Sequence, residues 1–479
     1  MTLRPLARGA ALVVALAAAT ALPRTASASG FLTAKFGSDH GNPMTGNPYA
    51  VYFNPGALGG INGTMLTLDG SFAYRTVDYT RSEGALTPST SQLKSDPQYR
   101  DANTGAAHLG NFAVGPYGAF ASNLGTKWIA VGFASYVPFG GAASWDKNKK
   151  YVGDLSVPGA QDGPQRWHSI SGTAISWYNT AAVAFTIPSA RLSLGVSGSY
   201  IRHTVATTRS RNLDGYDDMR DRTGALIEGS SYLDVKGSNL GLGFGLYWEP
   251  LEDRSLRLGG SYTTRPGFGQ MRLSGTLATQ FGNQKGDQNF AVDFLQTYPD
   301  ILRFGVGWRV SDDVELRADV EYVRWSAFSR QCVVLKGKQC NLTPDGAVNT
   351  DKSSSNDVIQ NVPRNWRDAV GVRLGASNWV NRQTEIFLSG GIDTSAAPVE
   401  TMDATFPDAF KVQGTVGVRR LVTRNLSLAG SYNQIYYLPV ETSGKSILGT
   451  QQYPSRSPSG DGRYEQQVVF INLNATYIF

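Results

Sequence analysis

The sequence predicts an all-β protein, a 14-stranded antiparallel β-barrel that spans a membrane. Three observations predict this fold. Apolar residues recur at every second position, connections are alternately short and long, and aromatic residues end the apolar faces. A period of two gives a strand one apolar face and one polar or small face. Apolar and polar residues also alternate in the strands of a soluble β-sandwich, but nothing in that fold requires short and long loops to follow one another.

The alternation recurs in 14 segments along the chain. These segments are 64–80, 108–124, 127–139, 168–187, 190–207, 233–249, 255–277, 289–310, 314–328, 364–379, 383–397, 409–421, 425–438 and 463–479. Short turns such as Gly125-Thr126 and Thr423-Arg424 alternate with much longer loops. We interpret Trp308, Trp366 and Tyr477 as rings of an interfacial girdle, because tryptophan and tyrosine concentrate where a membrane meets water.

The N-terminus has the features of a secretory signal peptide. Arg4 and Arg8 precede an apolar run over 9–22, which Ala26-Ser27-Ala28 follows. A basic start, a short apolar core and a small-x-small site are the signals for cleavage during export. We therefore expect residues 1–28 to be removed, the mature chain to begin at Ser29, and the barrel to lie in the outer membrane of a Gram-negative bacterium.

The charge of the chain argues against nucleic-acid binding. The whole sequence has a net charge of +6, and residues 1–28 contribute Arg4, Arg8 and Arg24 without any acid, which leaves +3. Spread over the rest of the chain, this charge is too small for the basic surface that nucleic-acid binding requires.

The segment before the first strand predicts a plug. Residues 47–60, NPYAVYFNPGALGG, carry no charge and contain two Asn-Pro steps and three aromatic rings. Proline lacks a backbone donor and restricts the residue before it, so this stretch should be neither a regular helix nor a central strand. A barrel of this size needs filling or carries water. We therefore expect residues 29–62 to form a hatch in the lumen of a barrel built from 63–479.

Short motifs along the mature chain resemble the FadL family of outer-membrane transporters for long-chain fatty acids and other hydrophobic compounds. They are Ser29-Gly30-Phe31, Asn54-Pro55-Gly56, YVPFGG (136–141), YPDILRFGVGW (298–308), ADVEYVRWSAF (318–328), NWRDAVGVRLGA (365–376) and the final NATYIF. The family has alanine where Gly56 stands. The resemblance covers essentially the whole mature chain.

The resemblance implies a passive transporter without a cofactor or metal. In that family a hatch closes the lumen, extracellular loops capture the ligand, and the ligand leaves sideways at a kink in the third strand. Carried over, the hatch turn is Asn54, Pro55 and Gly56, and the wall opening is at Pro138, Phe139 and Gly140. The expected partners are hydrophobic small molecules, above all long-chain fatty acids, and outer-membrane lipid, and the expected state is a monomer.

The residues of the expected opening have two interpretations by themselves. Pro138 cannot donate to a ladder, and Gly140 and Gly141 permit a bulge. The third strand could simply end there, or it could continue past a break. With the resemblance, we expect a break in the wall near 138–141, an apolar rim at Phe139, and Asn54 and Pro55 packed close by.

Arginines on predicted strands are candidate contacts for a carboxylate head group, because a guanidinium binds carboxylates through two parallel hydrogen bonds. The candidates are Arg303, Arg317 and Arg373. Alternatively, they pair with acids of the lumen such as Glu315 and Asp319.

Cys332 and Cys340 are the only two cysteines, and both fall in the long loop between the ninth and tenth predicted strands. Export is oxidising, so we expect a disulfide there. Closing so short a loop is worth only about 2–3 kcal/mol, which is enough to shape the loop but not to hold the barrel.

No enzyme is expected from the remaining motifs. The histidines, His40, His108, His168 and His203, are far apart and lack the spacing of metal ligands. GLGFG (241–245) lacks the glycine spacing and the following helix of a dinucleotide loop, and no G-x-S-x-G elbow is present. Two other function classes stay open beside a hydrophobic-substrate transporter, namely a general porin and a structural or adhesive barrel.

Overall fold

The computed structural model describes residues 35–282 and 287–479. The predicted signal peptide, 1–28, and the first part of the predicted hatch, 29–34, lie outside the described residues.

The described chain is a closed antiparallel barrel of 14 strands, as the alternation predicts. The barrel closes because β1 pairs with β2 on one side and with β14 on the other, so that both edges of the sheet are paired. The strands are β1 (Thr64–Arg81), β2 (Gly105–Ser122), β3 (Ile129–Ser144), β4 (Ser171–Ile187), β5 (Leu192–Arg211), β6 (Gly229–Trp248), β7 (Leu256–Thr263 and Met271–Phe281), β8 (Gln288–Gln296 and Ile301–Arg309), β9 (Val314–Val323 and Arg330–Leu335), β10 (Val358–Pro363 and Ala369–Asn381), β11 (Thr384–Asp393), β12 (Lys411–Leu421), β13 (Leu426–Glu441) and β14 (Arg463–Ile478).

Four neighbouring strands, β7 to β10, are each interrupted once, which the sequence analysis did not predict. Both segments of β7 pair with β6, and the corresponding segments of β8 to β10 continue the two ladders. Prolines explain part of the interruption, because Pro266 and Pro299 lie in two of the breaks and have no donor for a ladder. In β9 the 3-10 turn Trp325–Ala327 replaces the extended chain.

The outward face of the barrel is apolar and the inward face is polar or small. Phe112 is 78% exposed and Leu240 is 60% exposed. Exposed apolar side chains of this kind face the lipid in a membrane barrel. Trp308 lies on the outward face of β8, and Tyr477 is 43% exposed at the end of β14. The interpretation of Trp366 as a girdle residue was wrong. Its indole is buried inside the barrel, because the break in β10 turns it toward the lumen.

Helices are few and short. Within residues 35–61 the chain forms a 3-10 turn, Ser38–His40, the one-turn helix α1, Ala50–Phe53, and a 3-10 helix, Pro55–Gly60. The helix α2, Pro97–Asn103, lies in the loop after β1. The remaining 3-10 turns are Glu83–Ala85, Ser91–Ser95, Lys149–Tyr151, Pro158–Asp162, Pro164–Trp167, Pro266–Phe268 and Leu448–Thr450. Within 35–282 and 287–479, no helix has the length and apolarity that crossing a membrane requires.

The long loops meet over one mouth of the barrel, where buried ion pairs join them. Arg81 at the end of β1 lies 2.6 Å from Asp217, which belongs to the loop after β5. Arg166 in the loop after β3 lies 2.7 Å from Glu228. All four side chains are almost fully buried, so these loops pack against one another and form a cover over the mouth.

Candidate functional site

Residues 35–61 lie inside the barrel and contact its inward faces. The Oγ of Ser261 donates to the carbonyl of Phe53 at 2.6 Å, and the Nδ2 of Asn54 donates to the carbonyl of Leu246 at 2.9 Å. The aromatic rings that the sequence grouped at Tyr49, Tyr52 and Phe53 are all buried. The barrel wall thus supplies the surroundings in which this uncharged, irregular stretch is buried.

Glycines on the barrel wall allow the close approach of the segment. A Cβ at Gly245 would lie 2.1 Å from the Oδ1 of Asn54, and one at Gly195 would lie 2.2 Å from the carbonyl carbon of Pro55. Real Cβ atoms do not approach other atoms so closely, so both positions require glycine. Other inward glycines meet the same segment at Gly132, Gly259, Gly305 and Gly375. Gly245, the last glycine of GLGFG, is therefore part of the surface on which the segment docks.

The Asn54-Pro55-Gly56 turn is held by the side chain of its asparagine. The Oδ1 of Asn54 accepts from the backbone N–H of Gly56 at 3.0 Å, while its Nδ2 also donates to the carbonyl of Pro43 at 2.6 Å. The turn lies against β5 and β6, in contact with Gly195 and Gly245. The expectation that it packs beside Pro138 was wrong, because Gly195 aligns through β4 with the start of β3.

Of the three candidate arginines, Arg303 is bound to an acid and to the N-terminal segment. Its Nε donates to the Oε2 of Glu321 at 2.7 Å, and its Nη2 donates to the hydroxyl of Tyr52 at 2.8 Å. Its guanidinium also lies over the Tyr52 ring, 4.6 Å from the centroid. Burial raises the pKa of Tyr52 to about 12, so its hydroxyl is neutral at physiological pH.

The other two candidate arginines also have acidic partners. Arg317 pairs with Asp39 of the N-terminal segment and lies 3.3 Å from Glu315. Arg373 lies between several carboxylates, which are Asp319 at 3.3 Å, Asp393 at 3.5 Å and Glu321 at 3.7 Å. All three arginines therefore belong to an ion-pair network that binds residues 35–61 to the wall.

Burial lowers the pKa of two further side chains of the segment. Lys35 donates to the Oε1 of Gln413 at 2.8 Å, and burial, assisted by the nearby Arg373, lowers the pKa of Lys35 to about 8. The Nε2 of His40 lies 3.1 Å from the Oε2 of Glu385, and burial lowers the pKa of this histidine below its ordinary value.

The wall between β2 and β3 has an incomplete ladder. The two strands pair from Ser122↔Val131 to Tyr117↔Tyr136, and the regular pairing stops there. Both strands nevertheless continue, β2 back to Gly105 and β3 on to Ser144. Beyond Tyr136, one hydrogen bond from Asn111 to the carbonyl of Ala142, at 3.1 Å, and an isolated bridge at the far end, Leu109↔Trp145, join the two strands.

Pro138 lies where this ladder stops. Against β4 the register passes from Tyr136↔Tyr178 to Phe139↔Ser176, so Val137 and Pro138 bulge out of the strand. Since proline has no N–H, the bulge removes a donor from the edge that faces β2. The third strand does not end here, because it resumes its pairing with β4 through Gly140 to Ser144.

Phe139 points into the lumen and is 3% exposed. Its ring centroid lies 5.0 Å from that of Tyr298, 6.2 Å from Trp325 and 6.4 Å from Tyr178. The ring therefore closes the inner side of the wall beside the bulge, whereas the sequence analysis placed it on the rim of the opening.

An aromatic column continues from Phe139 across the interior. It consists of Tyr136, Phe139, Tyr178, Tyr298, Trp325, Phe328, Trp366 and Phe406. Tyr136 joins it to the N-terminal segment, since its ring lies 5.1 Å from that of Tyr52. Apolar, ring-lined surface therefore extends from the segment to the strand breaks of β8, β9 and β10.

Cys332 and Cys340 form a disulfide. Cys332 lies in the second segment of β9, not in the loop as the sequence analysis placed it, and Cys340 lies in the loop that follows. The bridge fixes this loop against Leu295 and Val334, which are buried beside Cys332.

The four histidines occupy separate surroundings. His40 contacts Glu385, His108 contacts Asp78, His168 contacts the carbonyl of Ser459, and His203 contacts the hydroxyl of Ser176. Within 35–282 and 287–479, no group of His, Cys, Asp and Glu side chains is arranged to hold a metal ion.

The comparison with known families decides what kind of barrel this is. The profile of the family described as "Outer membrane protein transport protein (OMPP1/FadL/TodX)" matches residues 10–479. The chain belongs to the FadL/TodX family. Members of this family are transport channels and not enzymes, so the chain is an outer-membrane transporter of hydrophobic compounds.

Individual relatives of this FadL/TodX chain are distant in sequence. It is 22% identical over 444 residues to a putative outer membrane protein of Neisseria meningitidis serogroup B, covering 90% of this chain and 89% of the relative. A solved Pseudomonas aeruginosa FadL homologue is 17% identical, with a TM-score of 0.72, over 95% of this chain and all of that one. The toluene transporter TbuX of Ralstonia pickettii is 15% identical, with a TM-score of 0.57, over 95% and 99% of the two chains.

The aromatic residues opposite Phe139 are the part of this FadL/TodX site that sequence reasoning missed. Tyr298 and Trp325 fall inside segments whose alternation looked continuous. A signal was nevertheless present, because Pro299 follows Tyr298 directly and a central strand tolerates proline poorly.

Proposed function

We propose that this chain takes up long-chain fatty acids by passive diffusion and releases them sideways through the barrel wall between β2 and β3. The observation that carries the proposal is the early end of the β2–β3 ladder at Tyr117↔Tyr136. In lipid, unpaired backbone groups are tolerated only where they are buried in protein or line a cavity, so this gap is a place where the wall can open. Burial of a hydrophobic ligand is favourable by about 25 cal/mol for each Å² of apolar surface that leaves water. A lateral exit lets the ligand pass from the lumen into the membrane without returning to water.

The position of residues 35–61 supports a sideways route. We infer that 29–62 act as a hatch and that 63–479 form the barrel. The hatch turn at Asn54 docks on Gly245, and the ion pairs of Arg303 and Arg317 hold the segment to the wall. A ligand that descends the lumen meets this segment before it reaches the periplasmic end, whereas a general porin needs an open aqueous lumen.

The chemistry beside the break suits an apolar ligand. On the inside, the rings of Tyr136, Phe139 and Tyr178 line the wall next to the bulge. On the outside, a groove is lined by small residues such as Ala142 and Thr173 and is bordered by Phe112. Displacement of the Phe139 ring would join the two surfaces through the gap.

Aromatic hydrocarbons are a second candidate ligand. The solved toluene transporters TbuX and TodX share the fold of this chain. In addition, the path to the break is lined by aromatic rings, whose faces and edges pack well against a single-ring hydrocarbon.

A reversible cross-link across the gap tests the proposed exit. The Asn111→Cys/Ala143→Cys pair joins β2 to β3 within the gap, where the register of the bridge Leu109↔Trp145 sets these two positions opposite each other on the inward face. The oxidised variant should lose uptake of both oleate and toluene, and reduction should restore it. The matched control is Gly118→Cys/Ser135→Cys, which cross-links the same strands where the ladder is intact. This control should transport normally in both redox states.

The outcomes separate the parts of the proposal. Normal uptake by the oxidised Asn111→Cys/Ala143→Cys variant would exclude a lateral exit at this place. Uptake of toluene without uptake of oleate would retain the exit and replace fatty acids by aromatic hydrocarbons. Equal passage of small sugars and hydrophobic tracers would show a general porin.

A further inference from the structure

Three exposed arginines lie at the edge of the barrel where short turns connect β10 to β11 and β12 to β13. Arg382 lies in the turn before β11, Arg420 is the last residue but one of β12, and Arg424 lies in the turn before β13. Short turns form the periplasmic side of an outer-membrane barrel. The three arginines therefore lie where the barrel wall meets the head groups of the inner leaflet.

The pairing of β11 with β12 brings these positions close to one another. Arg420 lies opposite Thr384, and the Nη1 of Arg420 donates to the Oγ1 of Thr384 at 2.6 Å. The backbone N–H of Leu421 donates at 2.8 Å to the carbonyl of Gln383, the residue that follows Arg382. The turn before β11 therefore lies beside the end of β12, and the turn that carries the third arginine continues directly from that end.

The three arginines lack acidic partners among the described residues. Within the part of the chain that the structure describes, none of them forms an ion pair. Glu385, the acid nearest to them along β11, points into the lumen, where it lies 3.1 Å from His40 and 2.7 Å from Arg419. The positive charges at this edge are therefore available to an anion from outside the chain.

The turns between β6 and β7 and between β8 and β9 have the opposite charge at the same edge. Their exposed acids are Glu252, Asp253, Asp312 and Asp313. Arg254, which lies among them, is 3.5 Å from Glu249. Since like charges repel and opposite charges attract, an anion is favoured at β10 to β13 and disfavoured at β6 to β9.

The lipid-facing surface beside the arginines has a shallow depression. Gly390 of β11 and Gly414 of β12 lie opposite each other on the outward face, and a Cβ at Gly414 would meet no atom within 4 Å. Val416 and Val418, which are 54% and 46% exposed, lie between this pair and Arg420. Six residues of strand span roughly 20 Å. At a tilt of about 45° this length crosses close to half of a hydrocarbon core of about 30 Å, so the depression lies where an acyl chain ends.

We propose that this edge binds an anionic phospholipid of the inner leaflet. Its phosphate lies among the three arginines, and one acyl chain follows Val418 and Val416 to the depression at Gly414. A guanidinium binds phosphate oxygens through two parallel hydrogen bonds and stays charged at physiological pH. A phospholipid fits better than an acidic protein, because the charges continue into an apolar surface that faces lipid. The site goes beyond the transport function and does not depend on which ligand is transported.

Native mass spectrometry of the purified full-length protein tests this site. Titration with dioleoyl phosphatidylglycerol, dioleoyl phosphatidylethanolamine and uncharged dioleoyl glycerol gives the affinity for each lipid. A basic residue near an anionic head group contributes about fivefold in affinity. We therefore expect phosphatidylglycerol affinity to fall about tenfold or more in Arg382→Gln/Arg420→Gln/Arg424→Gln, with the preference over phosphatidylethanolamine lost. The corresponding triple lysine variant should lose less, and binding of dioleoyl glycerol should stay unchanged in both.

Lys127→Gln/Arg254→Gln/Arg309→Gln is the matched control, because it removes three exposed positive charges from the same edge outside β10 to β13. It should bind phosphatidylglycerol like the unaltered protein. Gly414→Leu fills the depression and leaves the arginines in place, so it should weaken the binding of phosphatidylglycerol and of dioleoyl glycerol alike. Heat-modifiable mobility on gels verifies that each barrel is folded.

Several outcomes would overturn the proposal. Unchanged phosphatidylglycerol affinity in the triple glutamine variant would do so, as would an equal loss for dioleoyl glycerol or an equal loss in the control variant. Unchanged affinity in Gly414→Leu would overturn the position of the acyl chain. Binding of polyglutamate in preference to phosphatidylglycerol, abolished by the same three glutamines, would assign the edge to an acidic protein instead of a lipid.

Discussion

The ring of Phe139 on β3 packs against the ring of Tyr298 across the lumen, with the two centroids 5.0 Å apart. These residues come from strands that do not pair, because β4 to β7 separate β3 from β8 around the barrel. The contact therefore depends on two local irregularities, the bulge at Pro138 and the break before Ile301, which each turn a ring inward.

Phe139→Ala should widen the passage beside the bulge. Removal of the ring leaves a void between Tyr298 and Tyr178, so we expect faster uptake of a fluorescent fatty acid and a loss of unfolding free energy of about 3 kcal/mol. Uptake in cells and urea unfolding of the purified barrel measure the two effects. Phe133→Ala on the lipid-facing side of the same strand, where the ring is 50% exposed, should leave uptake unchanged. Slower uptake by Phe139→Ala would contradict a gating position.

Pro138→Val/Gly140→Val should close the wall. Valine restores the missing N–H and favours extended backbone, so the β2–β3 ladder can extend past Tyr136. We expect uptake of hydrophobic substrate to fall to the background of cells without the protein, with folding and surface display retained. Pro188→Val in the turn between β4 and β5 is the control and should transport normally. Normal uptake by the double valine variant would show that the exit lies elsewhere.

Gly245→Val should prevent the docking of residues 35–61. A side chain at this position overlaps the Oδ1 of Asn54, which the backbone of β6 cannot avoid without losing its ladder. We expect a higher single-channel conductance in planar bilayers and protease cleavage within 35–61. Gly414→Val adds the same side chain where no atom lies within 4 Å and should leave conductance unchanged. Equal conductance of the two variants would mean that the segment tolerates displacement from β6.

The loop cover should loosen on acidification because of His168. Burial lowers the pKa of this histidine from 6.5 to about 4, and its ring contacts the carbonyl of Ser459. The closed cover therefore binds fewer protons than the open one, so its stability is full above pH 6.5 and falls as the pH decreases toward about 4. Each pH unit in this window costs about 1.4 kcal/mol.

Amide hydrogen exchange of the loops at pH 7 and pH 5, corrected for intrinsic rates, measures this effect. We expect protection around 166–169 to fall at pH 5 in the unaltered chain. His168→Gln cannot take up a proton and should show equal protection at both values. His40 is a second buried histidine that titrates in the same direction, but it lies in the lumen beside Glu385, so its effect should be confined to residues 35–61. A pH effect that persists in His168→Gln at 166–169 would assign it to another group.

The barrel and its strand number can be predicted from local sequence alone. Alternation is a local property, since neighbouring side chains of a strand point to opposite faces, so segments such as 425–438 and 463–479 could be located without their partners. The turn at Asn54-Pro55-Gly56 could also be located from the sequence, because its conformation depends on adjacent residues. The sequence does not mark the glycines that receive it, Gly195 and Gly245, as a docking surface.

Which residues meet inside the barrel cannot be predicted from local sequence, because it depends on the folded arrangement of distant strands and loops. Trp366 reads as a girdle residue along its segment, yet the break before Ala369 turns it inward against Trp325. Arg303 and Arg420 look alike in sequence, but one pairs with Glu321 inside the barrel and the other lies on the outward face, where it donates to Thr384. Register, bulges and loop crossings bring distant residues together across the lumen, whereas a period of two carries no information about partners on a strand that is not a neighbour.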